Sequence, residues 1–241
     1  MSLHSYVCRE CRMKWLKRNE KPFFINAMLW EKDKIFMGGY ETLDTQKQLE
    51  TAAYLKIYDV PENCYLNSLI ESKKKVNNNF HMIKTKMLSN RDFVFLLRQD
   101  ELKVHCVSKK DLSLAETVSL EKPGFYRAMP NDFFISKKKY QDDNEFFLDY
   151  DRWNRDYSSI SNAAVHADKY LLVQIRTANA EMPNYALLFY ALQDGFRLVK
   201  TVLTEDLLLA GRDGKYYFYQ GGDPGLDEVE NLVIRVKELI D

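Results

Sequence analysis

The feature that most constrains the fold of this chain is a short pattern of residues that recurs five times along it. Each copy has a short extended segment, then a polar turn built on aspartate, then an apolar and aromatic strand. Aspartate suits such a bend because its side chain hydrogen-bonds the local backbone and tolerates left-handed conformations. The turn aspartates are Asp33, Asp92, Asp132, Asp168 and Asp213. The pattern therefore predicts a series of antiparallel hairpins and a repetitive all-β fold.

Each hairpin is followed by a further extended stretch. The five hairpins cover residues 26–37, 87–96, 126–135, 163–172 and 208–218. The stretches after them are 54–60 with 65–69, 102–107 with 115–120, 146–150 with 157–160, 185–190 with 196–202, and a single strand at 232–236. Four strands in a unit of about 40 to 50 residues are typical of a β-propeller blade. We therefore expect a β-propeller with five recognisable four-stranded units, in a ring of five or six blades.

The predicted domain organisation is an N-terminal segment at 1–22 and a propeller at 23–241. The fifth unit lacks an outermost strand, and a ring closes well when the other end of the chain supplies it. Residues 12–16 or 23–25 are the candidates for that closing strand. The alternatives left open are an open array of sheets and an ordinary β-sandwich.

Composition supports a folded β-protein without a strong global charge. The chain has 241 residues, of which 46% are apolar and 13% aromatic, and its formal net charge is zero. Aromatic residues favour the half-buried surface of a sheet. Because nucleic acid is bound largely by an excess of positive charge, we expect no nucleic-acid partner, and the lysine runs at 73–75 and 137–139 are interpreted as solvated loops.

The sequence predicts no membrane span, since its uncharged apolar stretches are far shorter than the roughly 20 residues that a bilayer requires. The N-terminus turns basic without the apolar core of a signal peptide. As written, the chain is therefore expected in the cytoplasm. A truncated N-terminus would instead fit an exported protein, periplasmic or lipoprotein.

Motifs for cofactors, metals and catalysis are missing from the sequence. The glycines form no phosphate-binding loop, and neither HExxH nor Gly-x-Ser-x-Gly occurs. Cys8 and Cys11 form a Cys-x-x-Cys without the second ligand pair that a zinc site needs. The acidic stretch 141–145 does not match a calcium-binding loop. We expect no cofactor and no metal, and we assign no catalytic residue.

The fourth and fifth units carry a resemblance to a known family. The strand 185–190 with its Asp194-Gly195 turn, together with the stretch 214–218, resembles the six-bladed TolB-like β-propeller proteins of Bacteroidetes. The resemblance implies six blades. It also implies an export or lipoprotein signal, which members of that group usually carry.

Propeller geometry indicates where a ligand would bind. Loops that lead into the innermost strand of a blade, and loops that leave its second strand, gather on one face around the central channel. The most exposed candidates on that face are His81, Arg98, Tyr126, Asn162, Arg176 and Tyr219. The preferred function is a non-catalytic binding module for a protein, a peptide or a small polar ligand. The alternatives are a propeller enzyme, either hydrolase or lyase, and a structural scaffold in an assembly.

Overall fold

The computed structural model describes residues 23–41, 52–66, 69–72, 84–130, 143–212, 214–220 and 233–238. This part of the chain forms four antiparallel sheets and one α-helix. The sheets follow one another along the sequence as the blades of a propeller. The prediction of an all-β propeller is therefore confirmed.

Blades 1 and 2 come from the first half of the chain. Blade 1 consists of β1 (Phe23–Glu31), β2 (Lys34–Glu41), β3 (Ala52–Asp59), β4 (Cys64–Tyr65) and β5 (Leu69–Ser72), with both short strands pairing to β3. Blade 2 consists of β6 (Thr85–Ser89), β7 (Phe93–Arg98), β8 (Lys103–Ser108) and β9 (Leu114–Ser119), in that order.

Blades 3 and 4 follow the helix α1 (Asp143–Asp156). Blade 3 consists of β10 (Ile160–His166), β11 (Tyr170–Arg176), β12 (Tyr185–Ala191) and β13 (Arg197–Thr204), in that order. Blade 4 consists of β14 (Leu207–Arg212), β15 (Lys215–Tyr219) and β16 (Ile234–Glu238).

The first strand of each blade lies innermost. Contacts join β1 to β6, β6 to β10 and β10 to β14. Successive side chains of a strand point to opposite faces of its sheet, so blade 2 packs against blades 1 and 3, and blade 3 packs against blades 2 and 4. Three apolar clusters fill the junctions: Phe36, Leu55 and Leu96 lie between blades 1 and 2, Phe95, Val173 and Leu188 between blades 2 and 3, and Leu172, Phe189 and Phe218 between blades 3 and 4.

The aspartate-centred turns lie where the sequence predicts them in three of the four blades. Asp33 follows Lys32, whose φ is 53°, and Asp168 itself has a φ of 53°. At the blade 2 turn, Asn90 Oδ1 accepts hydrogen bonds from the backbone N–H groups of Asp92 and Phe93. Asp132 and Asp213 lie outside the described residues. Left-handed residues therefore shape the turns of blades 1 and 3, and the Asn90 side chain fixes the turn of blade 2.

The third predicted unit is wrong, because the strand expected at 146–150 belongs to α1. The aromatic residues Tyr150, Trp153 and Tyr157 recur at a helical spacing, which turns them toward one side. Trp153 is fully buried, and Tyr150 and Tyr157 pack against the same core between blades 1 and 2. The described residues therefore form four blades and not the five or six that the repeat count predicted.

The proposed closing strand is also corrected in part. Residues 23–25 belong to β1, where Phe23 pairs with Glu41 of β2, and β16 pairs with β15. The alternative closing strand, 12–16, lies outside the described residues. Among the helical residues that the structure describes, none forms a helix long and apolar enough to cross a membrane.

Candidate functional site

One end of the propeller, here called the loop face, carries the connections between the second and third strands of each blade and those between blades. Its described connections are 99–102, 120–130, 177–184 and 205–206. The opposite end, here called the turn face, carries the tight turns such as 90–92 and 109–113. Of the six sequence-predicted binding residues, the five that the structure describes fall at the loop-face ends of strands or in the connections there.

Arg98 is the best-defined charged group on the loop face, and it is buried, with 4% of its surface exposed. Its Nε and Nη2 atoms donate to Asp100 Oδ1 and Oδ2 at 3.0 and 2.6 Å. Its Nη1 lies 3.6 Å from Glu101 Oε1, and its guanidinium stacks 4.5 Å from the ring centre of Tyr54 in blade 1. Arg98 therefore forms a bidentate pair within blade 2 and joins blade 2 to blade 1 by a cation–π contact.

The two carboxylates beside Arg98 respond differently to their surroundings. Burial raises the pKa of Asp100, against the opposing effect of Arg98, and Glu101 adds to the rise. Burial would also raise the pKa of Glu101, but Arg98 and Lys103 together hold it below its ordinary value. Glu101 Oε2 accepts from Lys103 Nζ at 3.1 Å. The site thus holds neighbouring carboxyl groups with pKa values pushed apart, which is common at functional sites.

Tyr126 lies in the connection between blades 2 and 3, where the carboxylates of Asp100 and Glu101 act on its hydroxyl group. Burial, with the Asp100 and Glu101 carboxylates, raises the pKa of Tyr126 to about 12. Lys122 Nζ lies 5.5 Å from the centre of its ring. The carboxylates that pair with Arg98 therefore also lie near Tyr126.

The same connection is fixed to blade 3 by hydrogen bonds around Ser158. Ser158 N–H donates to Arg127 O at 2.8 Å, and Arg127 N–H donates to Ser158 Oγ at 3.1 Å. Thr177 accepts at its carbonyl from Ser158 Oγ at 3.4 Å and donates its hydroxyl to Pro183 O at 2.8 Å. These bonds hold three loop-face segments in one arrangement, as a preorganised site requires.

Asn162 and Arg176 lie on the side of blade 3 that faces blade 4. Asn162 Nδ2 donates to the carbonyls of Leu208 and Leu209, both at 2.8 Å, so that it ties the innermost strands together. Arg176 and Leu172 point to the same face of β11, and Leu172 packs against blade 4. Its backbone N–H donates to Ser159 O at 2.8 Å, and its half-buried guanidinium makes no ion pair within the described residues.

Tyr219 and His81 complete the predicted set. Tyr219 ends β15, paired with Leu207 and Ile234, and is buried. His81 lies outside the described residues. The expectation that these side chains are exposed therefore fails for Arg98 and Tyr219, since charge pairing and sheet packing cover them, while their role in binding stays a prediction.

Sequence reasoning missed Tyr54, Asp100 and Glu101. A signal for the carboxylates was present, because Arg98, Gln99, Asp100 and Glu101 form a polar run directly after the apolar strand β7. Tyr54 comes from another blade, so only the tertiary structure places it against Arg98. Within the described ranges, no group of three or more histidine, cysteine or acidic residues is placed to hold a metal ion.

No protein-family model matches the sequence, and no curated protein matches it. Among the solved structures that match this chain are the three that follow. A member of the DUF4221 family from Bacteroides vulgatus ATCC 8482 has a TM-score of 0.50 at 12% identity, over 88% of this chain and 63% of that one. A luciferin-regenerating enzyme has a TM-score of 0.48 at 12% identity, over 92% and 63%. A GH43 β-1,3-galactosidase has a TM-score of 0.40 at 12% identity, over 88% and 72%.

The chain spans less than two thirds of the length of the first two of these structures, 63% in each case. At 12% identity, the similarity to the DUF4221 structure concerns the fold alone. Together with the four consecutive blades and their inner strands, it identifies the chain as a β-propeller.

Proposed function

We propose that this protein is a non-catalytic binding module that recognises a protein, a peptide or a small polar ligand at its loop face. The observation that carries the proposal is the cluster of Arg98, Asp100, Glu101 and Tyr126, with Tyr54 beneath the guanidinium. These groups come from two blades and a connecting loop and are fixed by hydrogen bonds. Loops on a rigid scaffold are where recognition is commonly found.

A second candidate is a propeller hydrolase or lyase, which the raised pKa of Asp100 favours. Neighbouring carboxyl groups whose pKa values are pushed apart are an arrangement that acid–base catalysis uses. The binding module is preferred because both Asp100 oxygens already accept hydrogen bonds from Arg98. A structural scaffold is the third candidate, favoured by the exposed apolar residues Ile234 and Val236 on blade 4.

We also propose that the chain is related to the six-bladed TolB-like β-propeller proteins of Bacteroidetes. This assignment rests on the repeat pattern of blades 3 and 4. It implies an exported protein, whereas the sequence as given is expected in the cytoplasm. Fractionation of the source cells with an antibody against the chain distinguishes the two compartments.

The proposal is tested by two-dimensional amide NMR of the chain with a panel of amino acids, tripeptides, sugars and dicarboxylates. We expect at least one compound to shift amide signals of 98–103, 121–127 and 176–184. Arg176→Ala removes a cation without an ion pair and should weaken that binding about tenfold, the effect of one charge-assisted hydrogen bond.

Arg91→Ala is the matched control, because Arg91 is exposed on the turn face. It should leave binding unchanged. Signal shifts confined to the turn-face residues 90–92 and 109–113, or no shift with any compound, would contradict the proposal. Turnover of a hydrolase substrate that is lost in Asp100→Asn would support the enzyme instead.

A further inference from the structure

The innermost strand of blade 2 presents a lysine to the junction between blades 2 and 3. Thr85 and Met87 face blade 1, because a Cβ on Gly38 would lie 2.9 Å from Thr85 Oγ1 and 2.8 Å from Met87 Sδ. Lys86 and Leu88 alternate with them and therefore face blade 3. Leu88 packs against the core between blades 2 and 3, which confirms this direction.

Lys86 has no counterion within the described residues, although it is only partly exposed. No hydrogen bond or ion pair reaches its Nζ there. Burial, with the neighbouring charge of Lys84, lowers the pKa of Lys86, and no carboxylate acts against this. Since a half-buried cation without a partner is costly, its place in an inner strand requires an explanation.

The other two junctions are closed at the corresponding level by asparagine. Asn26 Oδ1 of β1 accepts hydrogen bonds from the N–H and the hydroxyl of Thr85 in blade 2. Asn162 of β10 donates to two carbonyls of β14 in blade 4. The junction between blades 2 and 3 has Lys86 in place of such an asparagine, so its inner end carries a positive charge that no described residue pairs with.

Gln99 adds a neutral donor to the same junction. Its backbone O accepts from Ile160 N–H of blade 3 at 2.9 Å, and its Oε1 accepts from Lys84 N–H at 3.2 Å. The side chain is about nine-tenths buried, with 9% of the residue exposed. Because Oε1 is fixed against Lys84, the Nε2 donor stays available, and no described residue accepts from it.

We propose that Lys86, Lys84 and Gln99 form a binding site for an oxyanion, a phosphate or carboxylate group, at the loop-face end of the junction between blades 2 and 3. Two cations and an amide donor are the groups that bind such an anion. The inference rests on the proposed function and narrows it, because it gives the ligand a negative charge.

The test is isothermal titration calorimetry of the whole chain with inorganic phosphate and, separately, with citrate, at low ionic strength. We expect at least one of the two to bind, and the stronger of them identifies the group as phosphate or carboxylate. Lys86→Met keeps the length of the side chain but removes its charge. It should weaken binding about tenfold or more, the effect of losing one charge-assisted hydrogen bond.

Lys84→Met should weaken binding less, since Lys84 is exposed and screened by solvent. Lys110→Met on the turn face is the matched control and should bind as the unaltered chain does. Thermal unfolding of each variant serves as a check on folding, and Lys86→Met should unfold no earlier than the unaltered chain, because it removes a desolvated charge.

Two results would overturn the anion site. One is the absence of binding of both probes at millimolar concentration, and the other is an equal effect of Lys86→Met and Lys110→Met. If neutral compounds of the NMR panel still shifted loop-face signals, the binding module would stand and only its anionic ligand would be wrong. If no compound shifted them, the proposed function itself would fail.

Discussion

Blades 3 and 4 are built from the same repeat but have different surroundings. In blade 3, β11 and β12 are buried almost along their whole length, because blade 2 covers one face and blade 4 the other. In blade 4, Tyr216 and Phe218 pack against blade 3, whereas Ile234 and Val236 on the other face are 47% and 55% exposed. The same strand repeat therefore gives a core or a surface, depending on what packs against it.

This difference indicates that the stability of a propeller is the sum of the contributions from each junction between blades. Each blade hides its apolar face only against a neighbour, as in other repeat proteins. Among the described residues, no extensive contact joins β14 of blade 4 to β1 of blade 1. Substitutions inside blade 3 should therefore lower the free energy of unfolding far more than substitutions on the exposed face of blade 4.

The largest effect is expected at the centre of blade 3. Leu188 is fully buried between blades 2 and 3, and Leu188→Ala should lower the free energy of unfolding by about 2 to 5 kcal/mol, since it removes apolar contacts and leaves a cavity. Urea denaturation followed by tryptophan fluorescence measures the loss. Val199→Ala is the control, since Val199 on β13 is 43% exposed. It should change the free energy of unfolding by less than about 0.5 kcal/mol.

A smaller loss is expected at the contact between blades 3 and 4. A Cβ on Gly211 would lie 2.7 Å from Tyr216 Cε1 and 2.9 Å from Ala164 Cβ. Gly211→Ala should therefore lower the free energy of unfolding by about 1 to 3 kcal/mol, because the added methyl group overpacks the contact. Gly124→Ala, where a Cβ meets nothing within 4 Å, is the control. Equal thermal stability of the two variants would contradict the close approach of these blades.

A smaller loss of stability again is expected at the hydrogen-bonded link between β10 of blade 3 and β14 of blade 4. Asn162→Ala removes both hydrogen bonds from Nδ2 to β14 and should cost about 1 to 2 kcal/mol. Amide hydrogen exchange should then speed up in β14 and β15 more than in β11. Asn179→Ala, in an exposed loop where the side-chain oxygen accepts from Glu181 N–H, should leave those rates unchanged. Uniform acceleration across all blades would argue against a local link.

The smallest effect is expected on the open face of blade 4. Val236→Asp places a charge at a position that is 55% exposed, so it should lower the free energy of unfolding by less than about 0.5 kcal/mol. Urea denaturation measures this loss, and Val202→Asp, at an exposed valine of blade 3, is the matched control. A loss above about 2 kcal/mol, confined to Val236→Asp, would mean that something covers this face in solution.

Much of the blade structure follows from local sequence. The hairpin at Asp168 and the strand 185–190 lie where the alternation and turn residues predict them. The helix α1 was mistaken for a strand because Phe146 to Tyr150 is a short aromatic run, and the helical spacing continues only with Trp153 and Tyr157. Short apolar runs do not distinguish helix from strand by periodicity alone.

The candidate site was less predictable than the fold. Propeller geometry places Arg98 and Tyr126 on one face, but the sequence gives no reason for Arg98 to be buried. That burial depends on Tyr54 from blade 1 and on Asp100 in the next connection. Such contacts join residues far apart in the chain, which no local pattern encodes.

The sequence by itself determined the strands, the aspartate turns and the antiparallel pairing, because backbone preference and side-chain alternation act over a few residues. Only the tertiary structure decided the number of blades, the helix that replaces one predicted unit, and the charges left without partners. These depend on which sheet face meets which neighbour, and the free energy of burial arises only when the two faces come together.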